Sequence, residues 1–409
     1  MFSRADKGNS VVALNTSDYI NKTLSFLDND IYTPLNKDPT FIFQRELKSC
    51  LSNSKSIISP SEQFKLLLMN PQPPKLYSLI KLHKNNFPIR PVVSFVTAPA
   101  YKLSRKLIQI ISHHTNFTSY FSVKNSQVLI NNIKDINIPN NAKLISFDVQ
   151  NLFPSIPPKD TIILVEKLLF ASNTNPVIIN DILCLLTVCL KQNYFQFQNK
   201  IYSCSKGLIM GNPLSPLLAE IFMNNLEDII SKHPLFKKCI YWHRYVDDIL
   251  VCFNGTYRQI DTFLQYLNTV HPNIKFTMEL ESNNSINFLD LTLKKFNNRH
   301  QFSIYHKPSH TDITIHSSSC HPYQHKMAAY NSMIHRLINI PMCEDDFFKE
   351  LNFIKQVAIN NGFNSSIVTN ILKKKMYKHA INLVHPSPTD TKSFKSLTYI
   401  GLPSLSISS

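Results

Sequence analysis

Glycine is nearly missing from this chain, with 6 in 409 residues. Two of the six, Gly207 and Gly211, fall in one short segment, which marks a backbone with special geometry there. Paired cysteines are also lacking: the 8 cysteines are scattered with no C-x-x-C. That excludes a disulfide framework and reads as a reducing compartment with mostly buried thiols. Long apolar runs are absent as well. The longest, Val177 to Leu190, is interrupted by Asn180 and Asp181 and falls short of the roughly 18 residues a span needs. Residues 1–30 carry no signal-peptide pattern, so no membrane partner is expected. Acidic residues are scarce: 27 Asp and Glu face 43 Lys and Arg, a formal charge of +16. A surplus of that size favours a polyanionic partner, and with membranes set aside the partner is nucleic acid. With 43% hydrophobic residues, the chain can bury a large core divided into roughly two or three subdomains.

The most informative stretch is Tyr241-Trp242-His243-Arg244-Tyr245-Val246-Asp247-Asp248-Ile249-Leu250-Val251-Cys252-Phe253. Side chains alternate on either side of the two aspartates, which predicts a β-hairpin with Trp242, Val246, Ile249, Val251 and Phe253 suited to a half-buried sheet. Asp247 and Asp248 fall at its tip. Asp is a good turn residue, so a plain turn is the simpler alternative. Against it, the hairpin lacks an Asn-Gly or Asp-Gly signature, and two like charges beside an apolar core repel unless a cation neutralises them.

In chain order, residues 17–70 read as helical pieces joined by polar loops, broken at Pro71-Gln72-Pro73-Pro74. Lys75 to Ser94 then reads as two strands around Asn85-Asn86, with Lys75, Lys81, Lys84 and Arg90 among apolar residues. Such bases either form a solvated hairpin or hold phosphates, for which Arg supplies bidentate donors. Residues 142–149 predict a strand with Asp148 near its end, either a helix cap or a cation ligand. Helices are expected over 159–170 and 181–190, and a strand pair over 194–204. Lys206 to Pro216 reads as a Gly- and Pro-bounded loop that lets a ligand approach the backbone, with Met210 as packing and Ser215 as the cap of the next helix. Further on, a helix over 258–270 precedes strands over 274–279 and 286–293, completing a helix-on-sheet unit of α+β type. Residues 300–325 hold six histidines with Cys320. His316, Cys320, His321 and His325 are suitable zinc ligand types without the usual paired spacing, so a polar basic loop lining a nucleic-acid backbone is the favoured reading. Helices are expected over 326–340, 344–360 and 366–383, the last carrying Lys373-Lys374-Lys375 as a solvated face or a localisation signal, and then a flexible tail over 384–409.

Asp148, Asp247 and Asp248 should thus stand on one sheet. Carboxylates so placed would bind two divalent cations about 3.5 to 4 Å apart, one activating an attacking hydroxyl and the other clamping a leaving pyrophosphate. That chemistry is nucleotidyl transfer, with Arg90 and Lys81 available for the triphosphate.

The order of these segments resembles a reverse transcriptase, and most of all those of Penelope-like retroelements. The resemblance rests on Ala5-Asp6-Lys7-Gly8-Asn9, Lys81-Leu82-His83-Lys84 with Ile89-Arg90-Pro91, Met210 to Pro216, Asn287-Phe288-Leu289-Asp290-Leu291, and Tyr305 to Asp312 with His321-Pro322. It implies an α+β right-hand polymerase: fingers over 1–141, palm over 142–300 with a finger insertion around 171–204, and thumb over 301–383. It also implies Asp148, Asp247 and Asp248 as metal ligands for Mg²⁺ or Mn²⁺. Phe153 would be the gate that excludes a ribose 2′-hydroxyl, and Lys81, Arg90, Gly207, Met210 and Gly211 would surround the dNTP. Lys84, Lys307, His310 and Lys326 would touch the RNA template and DNA primer. Asn212 and Lys206 depart from the usual pattern and bear on nucleotide handling. The GIY-YIG nuclease common in the family finds no room after the last helix, and the abrupt start suggests missing upstream sequence. The expected activity is RNA-directed DNA synthesis inside the cell, in the nucleus. The rivals are an RNA-dependent RNA polymerase, against which Phe153 argues, and a non-catalytic nucleic-acid-binding remnant.

Overall fold

The structure is a computed structural model that describes residues 1–384 except 8, 9, 29, 30, 83 and 309, and the side chains through residue 377. The expected tail beyond Val384 lies outside the described residues. Two compact units are present, Met1–Thr311 and a second beginning at Asp312.

At the centre of the first unit is a four-stranded antiparallel sheet in the spatial order Phe276–Leu280, Lys143–Val149, Asp248–Phe253, Cys239–Tyr245. Its two central strands are buried on both faces away from the aspartates: Leu144, Ile145, Phe147, Ile249, Leu250, Val251 and Cys252 are all essentially buried. One face carries an aromatic cluster, with Phe147 stacked on Trp242 (ring centroids 5.9 Å) and Phe253 stacked on Phe263 of the helix Tyr257–Leu267 (5.9 Å). The helices Pro158–Ala171, Pro176–Lys191 and Ser215–Ser231 complete this core. Burying a few hundred Å² of aromatic surface at ~25 cal/mol per Å² gives such a cluster several kcal/mol of driving force.

A five-stranded sheet holds the basic hairpin, in the order Tyr32–Leu35, Lys200–Cys204, Tyr194–Phe197, Lys75–Ile80, Ile89–Ser94. The strand Tyr32–Leu35 falls where helical pieces were expected; its Pro34 is tolerated because the strand lies at the sheet edge. The strand pair after residue 191 thus belongs to the same sheet as the basic hairpin, 100 residues earlier, through the parallel bridge between Lys75 and Gln196.

The stretch 286–293 is not one strand. Ser285–Phe288 and Leu291–Phe296 form a hairpin, closed by Arg299–Ile304, with Leu289 in the left-handed region (φ 58°). Asp290 makes the reversal tolerable: it accepts a short hydrogen bond from Ser126 Oγ, and its carbonyl accepts from Tyr305 N (2.9 Å).

The second unit is helical. Tyr323–Asn339, Glu344–Asn360 and Ser366–Val384 enclose Tyr330, Ile334, Ile354, Val357 and Val368. Asn361 and Gly362 close the middle helix as expected, Gly362 at φ 77°. The Asn361 side chain also ties the segment before the helices, donating to the Asp312 carbonyl (2.6 Å) and accepting from Thr314 N (2.8 Å).

Candidate active site

Asp148 sits one residue before the end of the strand Lys143–Val149. Its neighbours Phe147 and Val149 are buried, so alternation turns Asp148 to the open face. Asp248 opens the adjacent strand and is the register partner of Asp148. Asp247 precedes it in the turn, and its carbonyl accepts from Val149 N (3.0 Å), which pins the turn to the strand that carries Asp148. The turn itself departs from the expected alternation. Val246 is exposed and left-handed (φ 59°), not part of a strand face. A β-branched residue there costs about 1–3 kcal/mol and persists only where its surroundings hold it.

Negative charge in this corner is only partly offset by nearby lysines. Burial and then the nearby Asp247 carboxylate push Asp148 above the usual carboxylate range, against the opposing pull of Lys84 and Lys7. Burial, then Asp247 and Asp148, push Asp248 up to about 6, against Lys307 and Lys7. Among the described residues no three His, Cys, Asp or Glu side chains are already drawn together as metal ligands. The donor set nonetheless fits a hard divalent cation: three carboxylates, mutually repelling, on two adjacent strands and on the turn that leads into the second of them.

Of the cations named by the sequence, Lys84 acts on Asp148 and Lys307 on Asp248. Lys81 is held below its ordinary pKa by burial, then by Arg90 and Lys84. Arg90 is engaged: its Nε lies 2.8 Å from Oδ1 of Asp6, a carboxylate only 4% exposed. Asp6 is held there by its own backbone, since Asp6 N donates to Ile80 O (2.8 Å). The N-terminal segment therefore lies along the basic hairpin and delivers Lys7, a residue to which sequence reasoning gave no role. Burial, then Lys307, hold the Lys7 ammonium below its ordinary pKa. Lys307 acts on Asp248 and belongs to this corner. His310 pairs with His306 (ring centroids 5.2 Å) and its amide donates to Lys307 O (2.7 Å). Lys326 lies in the second unit, where its Nζ donates to Ser317 O (2.7 Å).

At both glycines of the loop over 207–216 the side that a Cβ would occupy is closed. A Cβ on Gly207 (φ 78°) would run into the carbonyl of Pro154, and one on Gly211 (φ 113°) into that of Val93. The space is filled by the chain's own backbone. Leu208 N donates to Phe153 O (2.8 Å) and Val93 N to Met210 O (3.0 Å), so the loop pins the Phe153 turn and a strand of the basic hairpin together. Phe153 itself is half-buried against the core. Asn212 is buried, and its side chain accepts from Leu214 N (3.0 Å), a turn-forming role within the loop. Ser215 is not the helix cap: it is the first helical residue and its Oγ donates to Ile209 O (2.8 Å). Among the described residues, the histidine-rich segment draws no group of three His, Cys, Asp or Glu together. His316 Nδ1 pairs with Ser318 Oγ (2.8 Å), His321 Nδ1 with Ser319 Oγ, and Cys320 is exposed.

Behind the turn lies a network that sequence reasoning missed. The side chain of Arg244 is buried; Nη1 and Nη2 donate to the two carboxylate oxygens of Glu220 (2.9 and 3.2 Å) and Nε to Glu227 Oε1 (2.9 Å). Trp242 Nε1 donates to the same Glu227 oxygen (2.9 Å). Burial holds the Glu227 carboxyl above its ordinary range despite Arg244. The signal was available, because Arg244 shares the phase of the inward Trp242, and a charge on a buried strand face requires partners.

A mixed α/β chain with a carboxylate pair on adjacent strands of an antiparallel sheet, flanked by a basic hairpin, has the right-hand polymerase fold. Residues 82–281 match the family described as reverse transcriptase (RNA-dependent DNA polymerase), a stretch that holds all three aspartates. Residues 313–373 match an animal helix-turn-helix domain. Among solved structures, telomerase from Candida albicans in complex with a TWJ fragment of telomeric RNA is similar with a TM-score of 0.59 at 13% identity, covering 94% of this chain and 66% of that one. Apo telomerase from Candida tropicalis is similar with a TM-score of 0.50 at 10% identity, with the same coverage. The chain thus spans a little under two thirds of the telomerase chains it resembles. No curated protein matches it. Among the described residues no helix is long and apolar enough to cross a membrane.

Proposed function

We propose that the chain is an RNA-directed DNA polymerase of a retroelement, of the Penelope-like kind, which extends a primer 3′-hydroxyl with deoxynucleoside triphosphates on an RNA template. The observation that carries this reading is the register pairing of Asp148 with Asp248, with Asp247 alongside, inside the segment that matches the reverse-transcriptase family. Asp148, Asp247 and Asp248 would hold divalent ions, Mg²⁺ or Mn²⁺. When bound, such ions lower the pKa of the attacking hydroxyl and stabilise charge on the leaving pyrophosphate. The chain's own contribution is positioning. Lys84, Lys7 and Lys307 act on the carboxylates, and Lys81 and Arg90 lie next to Lys84 and Lys7, a set of positive charges suited to a triphosphate. Phe153, its backbone fixed by Leu208 N, stands as the gate against a 2′-hydroxyl. Residues 1–141 and the insertion around 171–204 would act as fingers, 142–300 as palm, and the helices from Tyr323 onward as a thumb gripping the template-primer duplex through its phosphates. The motif blocks Ala5 to Lys7, Ile89-Arg90-Pro91 and Tyr305 to Pro308 support the Penelope-like assignment, the basic composition supports action on nucleic acid, and the location that goes with this reading is the nucleus.

Primer extension on an RNA template, with deoxy- or ribonucleotides and Mg²⁺ or Mn²⁺, tests the reading against Asp247→Asn. Deoxynucleotide incorporation abolished by the substitution supports it. Ribonucleotide incorporation selects an RNA polymerase instead, and template binding without synthesis by either protein selects a non-catalytic binder.

A further inference from the structure

Arg244 is among the largest fully buried side chains of the molecule. A buried ion pair is a poor source of stability, because desolvating the charges cancels much of their attraction and an apolar residue of similar volume packs as well. What an apolar residue cannot do is donate hydrogen bonds to a backbone that has turned the wrong way. Three donors of the guanidinium are taken by Glu220 and Glu227, and Nη1 also lies 3.5 Å from the carbonyl of Val246, the left-handed residue beside Asp247.

We propose that Arg244, Glu220 and Glu227 form a clamp that positions the Val246–Asp247 turn, and so the pair of aspartates, without touching substrate. Glu220 and Glu227 are seven residues apart, two turns along one face of the helix Ser215–Ser231. That helix begins where the loop pinned by Gly211 ends, so the clamp joins this loop to the aspartate turn. Arg244 is itself anchored from the far side, its amide donating to Phe121 O (2.8 Å) and its carbonyl accepting from Val123 N (2.8 Å), while Nη2 lies 3.4 Å from Ser119 Oγ. The turn is thereby held at both ends: Asp247 O by Val149 N on one strand, Val246 O by Arg244 on the other. A strained backbone persists only where neighbours over-determine it, and these are the neighbours.

The kinetic arm of the test rests on the polymerase reading; the exchange arm does not. Glu220→Gln keeps the shape, removes one charge, and acts at a side chain 27% exposed, so the fold should survive it. Hydrogen exchange of the peptide 244–249 should then quicken about tenfold with the middle of the helix Ser215–Ser231 unchanged, and kcat for single-nucleotide incorporation should fall about tenfold with the dNTP KM within about twofold. Val246→Gly placed in the Glu220→Gln chain should recover much of the lost kcat, since glycine adopts the left-handed backbone unaided. Arg244→Lys, which cannot reproduce the forked donors, should lower kcat further than Glu220→Gln. Loss of kcat in proportion to melting temperature, exchange that quickens throughout the sheet, unchanged exchange in Glu220→Gln, or no recovery with Val246→Gly would each overturn the clamp. A wild-type chain that incorporates nothing while the exchange arm behaves as stated leaves the clamp standing and removes the polymerase reading.

Discussion

Asp148 and Asp248 are register partners on neighbouring antiparallel strands, so their carboxylates share the open face of a sheet whose other face is an aromatic core. Residues directly opposite on such a pair place their Cβ atoms roughly 5 Å apart, and both side chains are raised in pKa by burial and by the neighbouring acids. The protein therefore stores electrostatic repulsion at the place where the proposed chemistry needs cations.

Replacing either partner should separate activity from stability. Asp148→Asn or Asp248→Asn is expected to lower primer extension by a hundredfold or more, about the loss expected when one charge-stabilising group is removed from a transition state. In metal-free buffer the same variants should melt at or above the wild-type temperature, because the repulsion is relieved. Paired extension assays and thermal melts check this, and a large fall in melting temperature would count against a functional role.

The pH dependence has a definite sign. The folded Asp248 has its pKa raised from 3.8 to about 6, so between those values the native chain binds more protons than the unfolded one. Metal-free stability should therefore fall as pH rises from about 4 to about 6 and change little from this group above that. Divalent ions need the ionised carboxylate, so the Mn²⁺ concentration at half-maximal protection should drop across the same window. Thermal melts at a series of pH values, with and without Mn²⁺, measure both.

Lys7 is expected to act on the triphosphate. Lys7→Met should raise the dNTP KM about tenfold, roughly 1.4 kcal/mol of lost binding, with template-primer affinity nearly unchanged. Asp6→Asn, which releases Arg90 from its ion pair, should shift the same constant. Steady-state kinetics beside filter binding distinguish these from general loss of nucleic-acid affinity.

Gly207→Ala and Gly211→Ala should destabilise the fold by about 2–4 kcal/mol each, since each adds strained positive-φ backbone and a clash with a carbonyl that cannot move freely. Denaturant melts read this directly. Phe153→Ala should lower discrimination against ribonucleotides by about a hundredfold, an effect of shape in the pocket rather than of charge, measured as the ratio of kcat/KM values.

Much of this was written locally in the chain. The acids, the basic hairpin with its Asn85-Asn86 reversal, the strand pair after residue 191 and the helix Glu344–Asn360 were legible because each depends on period, caps or turn residues within a few positions. The places where local reading failed are those where a distant backbone decided the conformation. Val246 carries a strand-forming side chain yet is left-handed, with its carbonyl near Arg244 and that of Asp247 bonded to Val149 N. What the sequence did not show is that the loop glycines also let the backbones of Pro154 and Val93 come close on the side a Cβ would take.

What the sequence by itself determined is the inventory: three aspartates, a set of phosphate-seeking cations, a basic surplus and the order of the blocks that carry them. Only the tertiary structure decided the register that sets Asp148 against Asp248, the N-terminal segment that brings Lys7 to the same corner, and the buried Arg244 behind the turn. The division has a physical reason. Propensity and periodicity act over a few residues, whereas register, ion pairing and close backbone approach join residues as much as 100 or more positions apart, and only the folded chain brings those into contact.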